Sequence, residues 1–287
     1  MVKFSSEDNT KSITYFNGKW HQGNPLVLGA SHHAFRMASI VFDGARSIGG
    51  KIPDLEEHCK RVLKSAQIMG LDPTIRVEDI VCLAREGASQ FPKETELYIS
   101  PIFYATEGFI VPVADSAEFV LSIVETPLPE PSSFSACLTK YRRPALNMAP
   151  TIAKASCLYP NVARGLKEVN SRGFDMGVVL DPNGNVAEFS YTNLFMCKDG
   201  IISTPIINGT FLNGITRQRF IKIFNEQAMP IEERTIEFEE LLSADELFGT
   251  GNFAKISPCT KIENKQLGIG PVFRKARELY FEYVSTC

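Results

Sequence analysis

A chain of 287 residues can bury a sizeable core, and 44% hydrophobic with 22% charged residues is ordinary for a soluble globular protein. A net charge of −3 with no extended basic run argues against nucleic acid or an anionic membrane as the main partner. Seven cysteines with no CxxC pair predict reduced thiols in a cytosolic protein, and the four histidines fall in no ligand spacing that predicts a metal site.

The N-terminal MVKFSSEDNT lacks the apolar core of a signal peptide, and Asp115, Glu118 and Glu125 interrupt the most hydrophobic region before it reaches membrane-spanning length. Ile13 to Phe16 predicts a strand, turned by Asn17-Gly18 into a returning segment. PDLEEHCKRVLKSAQIMG is the clearest helix, with Pro53 in its first turn, Gly70 at its C-cap and an apolar stripe of Leu55, Cys59, Val62, Leu63, Ala66 and Met69. A second helix is predicted over Val77 to Gln90, followed by two strands, ELYISPIFYAT and EFVLSIVET. The run TPLPEPSS holds three prolines in eight residues and reads as an interdomain linker. Beyond it come a strand at SACLTKY, a helix over Tyr159 to Val169, and a strand–turn–strand in MGVVLD, PNGN and VAEFS. GITRQRFIKIFNEQA reads as a helix opening on glycine, EFEELLSADELF as a short acidic helix, and PVFRKARELYFEYV as a C-terminal amphipathic helix. The fold class is α/β: a small α+β N-terminal domain over 1–125, a linker over 126–134, and a larger mixed α/β domain over 135–287 that carries Lys154.

Few of the chemistry-bearing residues stand out alone. Lys154 does so through its small neighbours Ala153, Ala155 and Ser156, which would let a flat ring approach the backbone. Glu188 by itself reads as a carboxylate after a turn, and Tyr159 as core. Arg61 lies off the apolar stripe of its helix, which by periodicity faces it to solvent. The GIT start of a good helix offers free N–H groups suited to a phosphate.

The combination says more. FNGKW, SHHAFRMASIVFDGAR, EEHCKRVLKSA, ELYISP, AKAS, GNVAEFSYTNLF, TPIINGTFLNGITRQ, ADELFGTGN and KISP follow one another in an order that resembles the class IV pyridoxal-phosphate aminotransferases, within them the branched-chain aminotransferases. Lys154 and Glu188 lie 34 residues apart, as that pattern expects. The resemblance covers almost the whole chain and implies fold type IV, as in D-amino acid and branched-chain aminotransferases. It implies pyridoxal 5′-phosphate as cofactor, in a cleft between the domains. Lys154 would be the imine lysine and general base, Glu188 the partner of the pyridine nitrogen, and Tyr159 the donor to the phenolate oxygen. Arg61 with Gly214, Ile215 and Thr216 would hold the phosphate, and Leu212 would pack on a ring face. The turn Thr250-Gly251-Asn252 would complete the phosphate and substrate-carboxylate side. Met37, Phe42, Arg46 and Tyr98 would line the substrate pocket. A homodimer or larger homo-oligomer is implied, a partner loop closing the pocket.

Three positions depart from the pattern. Met37 stands where a tyrosine is usual, Ser100 replaces the arginine of a YIRP-like strand, and Asn252 replaces a threonine. Loss of that arginine removes a charge-assisted grip on a dicarboxylate, for which Arg36, Arg46, Arg142 or Arg143 could substitute. The leading expectation is transfer of the amino group from leucine, isoleucine or valine to 2-oxoglutarate. The alternatives are a D-amino acid or (R)-amine aminotransferase, a lyase similar to aminodeoxychorismate lyase, or a non-catalytic protein on the same scaffold.

Overall fold

The computed structural model describes residues 11–130 and 132–287. The N-terminal decapeptide, read above for a signal sequence, lies outside the described residues, as does Pro131 of the proline-rich run. The chain forms two compact units. The first takes the described residues of 1–128 with Ala153–Cys157 and Cys287; the second takes the described residues of 129–152 with Leu158–Thr286. The divide falls at Leu128/Pro129, inside the proline-rich run. Lys154 therefore packs with the first unit, not with the C-terminal residues to which the linker reading assigned it.

In the first unit, β1 (Ser12–Phe16) and β2 (Lys19–Gln22) form the expected hairpin. Asn17 and Gly18 have φ of 50° and 73°, the two positive values that a tight two-residue turn needs. A short helix α1 (His33–Met37) leads into β3 (Ile40–Phe42) and β4 (Ala45–Ser47). Helices α2 (Leu55–Ile68) and α3 (Val77–Ser89) follow, then β5 (Leu97–Ala105) and β6 (Ala117–Glu125). Pro53 precedes α2 by two residues, outside the first turn, because Asp54 takes the N-cap position. Gly70, at φ 76°, ends α2 as expected: its N–H bonds Gln67 O while that of Leu71 reaches back to Ala66 O. The strands form an antiparallel sheet, β2-β1-β6-β5-β3, with β4 also on β5. Its core joins Val41, Ile99, Phe103, Leu121 and Ile123 to Leu55, Val62 and Ile80 of the helices. Ala153 and Ala155 belong to that same core, fully buried. Their small size suits close packing there.

In the second unit the elements are β7 (Phe134–Arg142), α4 (Tyr159–Ser171), β8 (Met176–Leu180), β9 (Val186–Phe189), β10 (Asn193–Lys198) and β11 (Ile201–Pro205). They continue with α5 (Ile215–Glu226), β12 (Ile231–Arg234), α6 (Phe238–Ser243), β13 (Glu246–Gly251), β14 (Lys255–Ile262), β15 (Lys265–Gln266) and α7 (Pro271–Thr286). The sheet is mixed, in the order β12-β11-β10-β13-β14-β7-β8-β9, with β15 on β14. The acidic helix predicted through Phe248 stops at Ser243. Leu247 and Phe248 are buried in β13 between β10 and β14, so tertiary pairing overrides the local helical pattern. Phe195 of β10 and Phe248 of β13 stack at 5.3 Å and Phe220 of α5 on Tyr280 of α7 at 5.1 Å, while Phe195 meets Phe220 at 6.5 Å and Phe248 meets Phe273 at 6.2 Å, which seats both helices on the sheet. Among the described residues no helix is long and apolar enough to cross a membrane, and no His, Cys, Asp or Glu cluster could hold a metal ion.

Candidate active site

The lysine region is built from α2, the β3–β4 turn and residues 153–157. His58, Arg61 and Ser65 lie three and four residues apart and so share one edge of α2. That edge faces inward. Arg61 grips Asp43 with two bonds, Nε to Oδ2 at 2.7 Å and Nη2 to Oδ1 at 2.8 Å. His58 Nδ1 lies 2.7 Å from the same Oδ1, which also accepts the Gly44 N–H. Arg61 is thus not a solvent-facing cation, as its periodicity predicted. Burial alone would raise the Asp43 carboxyl, but the charges of Arg61 and His58 and their hydrogen bonds outweigh it and hold the group well below the usual carboxylate range. Four residues along α2, Ser65 Oγ accepts the Lys154 N–H at 3.0 Å. The Lys154 carbonyl accepts the Phe42 N–H at 3.1 Å, and Val41 bridges Ala155. These bonds fix the half-buried Lys154, whose ammonium lies 4.7 Å from the centre of the Phe42 ring.

The remaining first-unit candidates separate. Tyr98 lies across Gly44, where a Cβ would overlap its hydroxyl, so glycine is required at that position. Ser100 Oγ donates to Asp43 O at 2.9 Å. Arg46 is fully buried and donates to the carbonyls of Thr126 at 2.8 Å and Pro127 at 3.5 Å, an arrangement that turns its charge toward main chain and sets aside a substrate role. Met37 ends α1 and is exposed.

The glutamate region lies in the second unit. Glu188, buried on β9, is paired with Arg143, Nη2 to Oε1 at 2.6 Å. The same Nη2 donates to Ser190 O at 3.1 Å. Asn193 Nδ2 donates to Leu212 O at 3.1 Å and lies 3.4 Å from Glu188 Oε2. A Cβ at Gly214 would overlap Asn193 Oδ1, so only glycine lets the start of α5 come this close. No side chain caps α5, whose first residues Ile215 and Thr216 are buried. Positive helix-end charge and free N–H groups there suit an anion. In the β10–β13 register Asn193 sits opposite Thr250, so the two side chains share a face of the sheet. Thr250 Oγ1 and Asn252 Nδ2 are both buried without a hydrogen-bond partner in the protein. An uncapped helix start, a buried hydroxyl and amide without partners, and a paired carboxylate together fit a group with a phosphate at one end and a protonated ring nitrogen at the other. Tyr159 heads α4 in this unit and is partly exposed.

Sequence reasoning missed Asp43 and Asn193 and offered Arg143 only as a substitute grip on a dicarboxylate, whereas it pairs with Glu188. The signal for Asp43 was present: FDGAR is followed by His-x-x-Arg, and a buried pair of cations demands an anion.

A sequence model described as Amino-transferase class IV matches residues 40–262. The chain belongs to the class IV aminotransferase family. It is an aminotransferase, and pyridoxal phosphate is the coenzyme of that family. An aminotransferase from Brucella abortus, solved bound to the cofactor PLP, superposes with a TM-score of 0.94 at 43% identity, covering 96% of this chain and 99% of that one. The branched-chain amino acid aminotransferase of Escherichia coli superposes at 0.88 with 26% identity over 94% and 93% of the two chains. A probable branched-chain-amino-acid aminotransferase of Rickettsia bellii is 29% identical over 90% of each chain.

Proposed function

We propose that the protein transfers the amino group of a branched-chain L-amino acid to 2-oxoglutarate. The observation that carries amino transfer is the setting of Glu188: a buried carboxylate paired with Arg143 at 2.6 Å, with Asn193 Nδ2 at its other oxygen, and set near an uncapped helix start. Relatives named as branched-chain aminotransferases, similar along nearly their whole length, support the donor class.

Bound pyridoxal phosphate supplies the carbonyl that carries the amino group and a ring that takes up electron density. The protein does the rest. Lys154 Nζ, fixed through its own backbone by Ser65 and Phe42, anchors the coenzyme and accepts the α-proton of the donor. Glu188, anionic, accepts a hydrogen bond from the ring nitrogen and so keeps it protonated. Gly214, Ile215 and Thr216 would hold the phosphate with backbone N–H groups, joined by Thr250 and Arg61. Tyr159 donates to the phenolate oxygen, and Leu212 covers one ring face. Phe42, Tyr98 and Met37 supply apolar surface for an aliphatic side chain.

A second reading, a D-amino acid or (R)-amine donor, is favoured by Ser100: its hydroxyl bonds Asp43 O where the family pattern has a cationic grip. L-leucine, D-alanine and an (R)-arylalkylamine, each supplied with 2-oxoglutarate, separate the two. Glutamate is expected from L-leucine alone; turnover confined to either of the others would overturn the L-branched-chain assignment.

A further inference from the structure

Lys255 is a fully buried lysine at the start of β14. It follows the turn that joins β13 to β14, and its φ is 64°. In such a turn glycine or asparagine takes the left-handed position without strain, whereas a lysine is held there at a cost of about 1 kcal/mol. A long, charged, buried side chain at a site that suits glycine points to a role for the side chain itself.

Lys255 Nζ lies 2.5 Å from Asn252 Oδ1 and 5.9 Å from the centre of the Tyr280 ring. An ammonium can only donate, so the carbonyl end of the Asn252 amide must face it. The NH2 end must then point away, and there Asn252 Nδ2 is buried with no acceptor in the protein. Thr250 Oγ1, two residues earlier, is likewise buried and unpartnered. Its side chain lies on the Asn193 face of the sheet, the face that meets Gly214 at the start of α5. Two open polar groups, one of them on the sheet face that meets an anion-favouring helix start, call for an oxyanion.

We propose that Lys255 is a positioning residue: its ammonium pins the Asn252 carbonyl so that Asn252 Nδ2, with Thr250 Oγ1, donates to an oxyanion of the bound coenzyme or substrate. This rests on the coenzyme reading given above. The oxyanion is either the phosphate of the coenzyme or the carboxylate of the amino acid. Asparagine at position 252, where the family pattern has threonine, is what makes an orienting cation necessary: a hydroxyl rotates to suit its partner, whereas an amide has two chemically distinct ends.

The test titrates apoenzyme with pyridoxal 5′-phosphate and with pyridoxal, and measures KM for L-leucine at saturating coenzyme. The variants are Lys255→Gly, which also relieves the left-handed strain, Asn252→Asp, which keeps a partner for Lys255 but loses the NH2 donor, and the double variant Lys255→Gly/Asn252→Ala. If the phosphate is the oxyanion, each single variant weakens pyridoxal 5′-phosphate binding by about tenfold and leaves pyridoxal unchanged. If the carboxylate is, coenzyme affinity stays and KM rises by a similar factor. In either case Lys255→Gly has no further effect on binding or KM once Asn252 is alanine, and each variant keeps a cooperative unfolding transition. Unchanged affinity and KM would overturn the proposal. So would equal losses for pyridoxal and its phosphate, or an effect of Lys255→Gly that persists without Asn252. Failure of the unaltered apoenzyme to bind pyridoxal 5′-phosphate would instead sink the coenzyme reading.

Discussion

The lysine region and the glutamate region solve opposite problems. Around Arg61 and His58 the protein supplies its own anion, Asp43, with no exposed surface, so the two cationic side chains meet a carboxylate inside the first unit. Around Glu188 the carboxylate is likewise matched, by Arg143, but the neighbouring face keeps polar groups without protein partners, Thr250 Oγ1 and Asn252 Nδ2, beside an uncapped helix. A buried polar group left open costs stability, typically about 1–3 kcal/mol. On the proposed reading, the second region is the one that a ligand completes. The first region is a rigid mount, and what it mounts is Lys154.

The sharpest way to break this contrast is Lys154→Ala. A mount can lose its cargo and keep its form, because Lys154 is positioned by backbone bonds to Ser65 and Phe42 that alanine retains. Transamination should fall by roughly 10⁴ or more, with an unchanged melting temperature in the absence of coenzyme. Normal turnover would refute the assignment. Glu188→Gln comes next. The amide still bonds its neighbours but cannot keep a ring nitrogen protonated, so the coenzyme should bind while single-turnover proton abstraction slows by about 10²–10³. A change of only a fewfold would mean the electron sink is organised by another residue.

Lys154 and Glu188 were picked out by the order of motifs along the chain, AKAS and EFSYTNLF among them, and not by either run alone. Elements set by local chemistry were legible directly: the Asn17-Gly18 hairpin, α2 with Gly70 at its end, and α5 opening on Gly214. What stayed illegible depends on partners far along the chain. β10 meets β11 in a local hairpin, but its other partner, β13, and the β7 partner of β14 lie far along the chain, and Leu247 and Phe248 were drawn into a helix that their strand neighbours forbid. Asp43 and Arg143 each resemble surface charges until Arg61 and Glu188 are brought to them. Two of the small residues around Lys154, Ala153 and Ala155, are also fully buried in the core of the first unit, a packing role that their sequence context does not show.

Asp43 tests the closed region by stability. Asp43→Asn keeps the shape and leaves Arg61 and His58 without their anion, so unfolding free energy should drop by about 3 kcal/mol, read from denaturant midpoints at constant m-value. The unaltered protein adds a pH signature. In the unfolded chain an aspartate titrates near 4, roughly, and in the folded one Asp43 is held well below that. Its contribution is therefore complete above about pH 5 and drains only as the pH falls below 4 toward the depressed folded value. The parent's stability should fall with acid more steeply than that of Asp43→Asn, the two curves converging at low pH. Parallel curves would mean that Asp43 is not the anion this mount depends on.

Arg143 is the smallest effect and the one that separates holding a charge from merely filling space. Its Nη2 serves two acceptors, Glu188 Oε1 at 2.6 Å and Ser190 O at 3.1 Å, and so ties the carboxylate to the main chain that follows it. Arg143→Gln can still donate to Ser190 O but brings no positive charge to Glu188. Turnover should fall by about tenfold with little change in KM, since the donor amino acid is bound elsewhere. Arg143→Lys restores the charge as a point without the planar fork, and should recover part of that loss. If glutamine and lysine are equally impaired, shape rather than charge keeps Glu188 in place. The open region would then be completed by geometry alone.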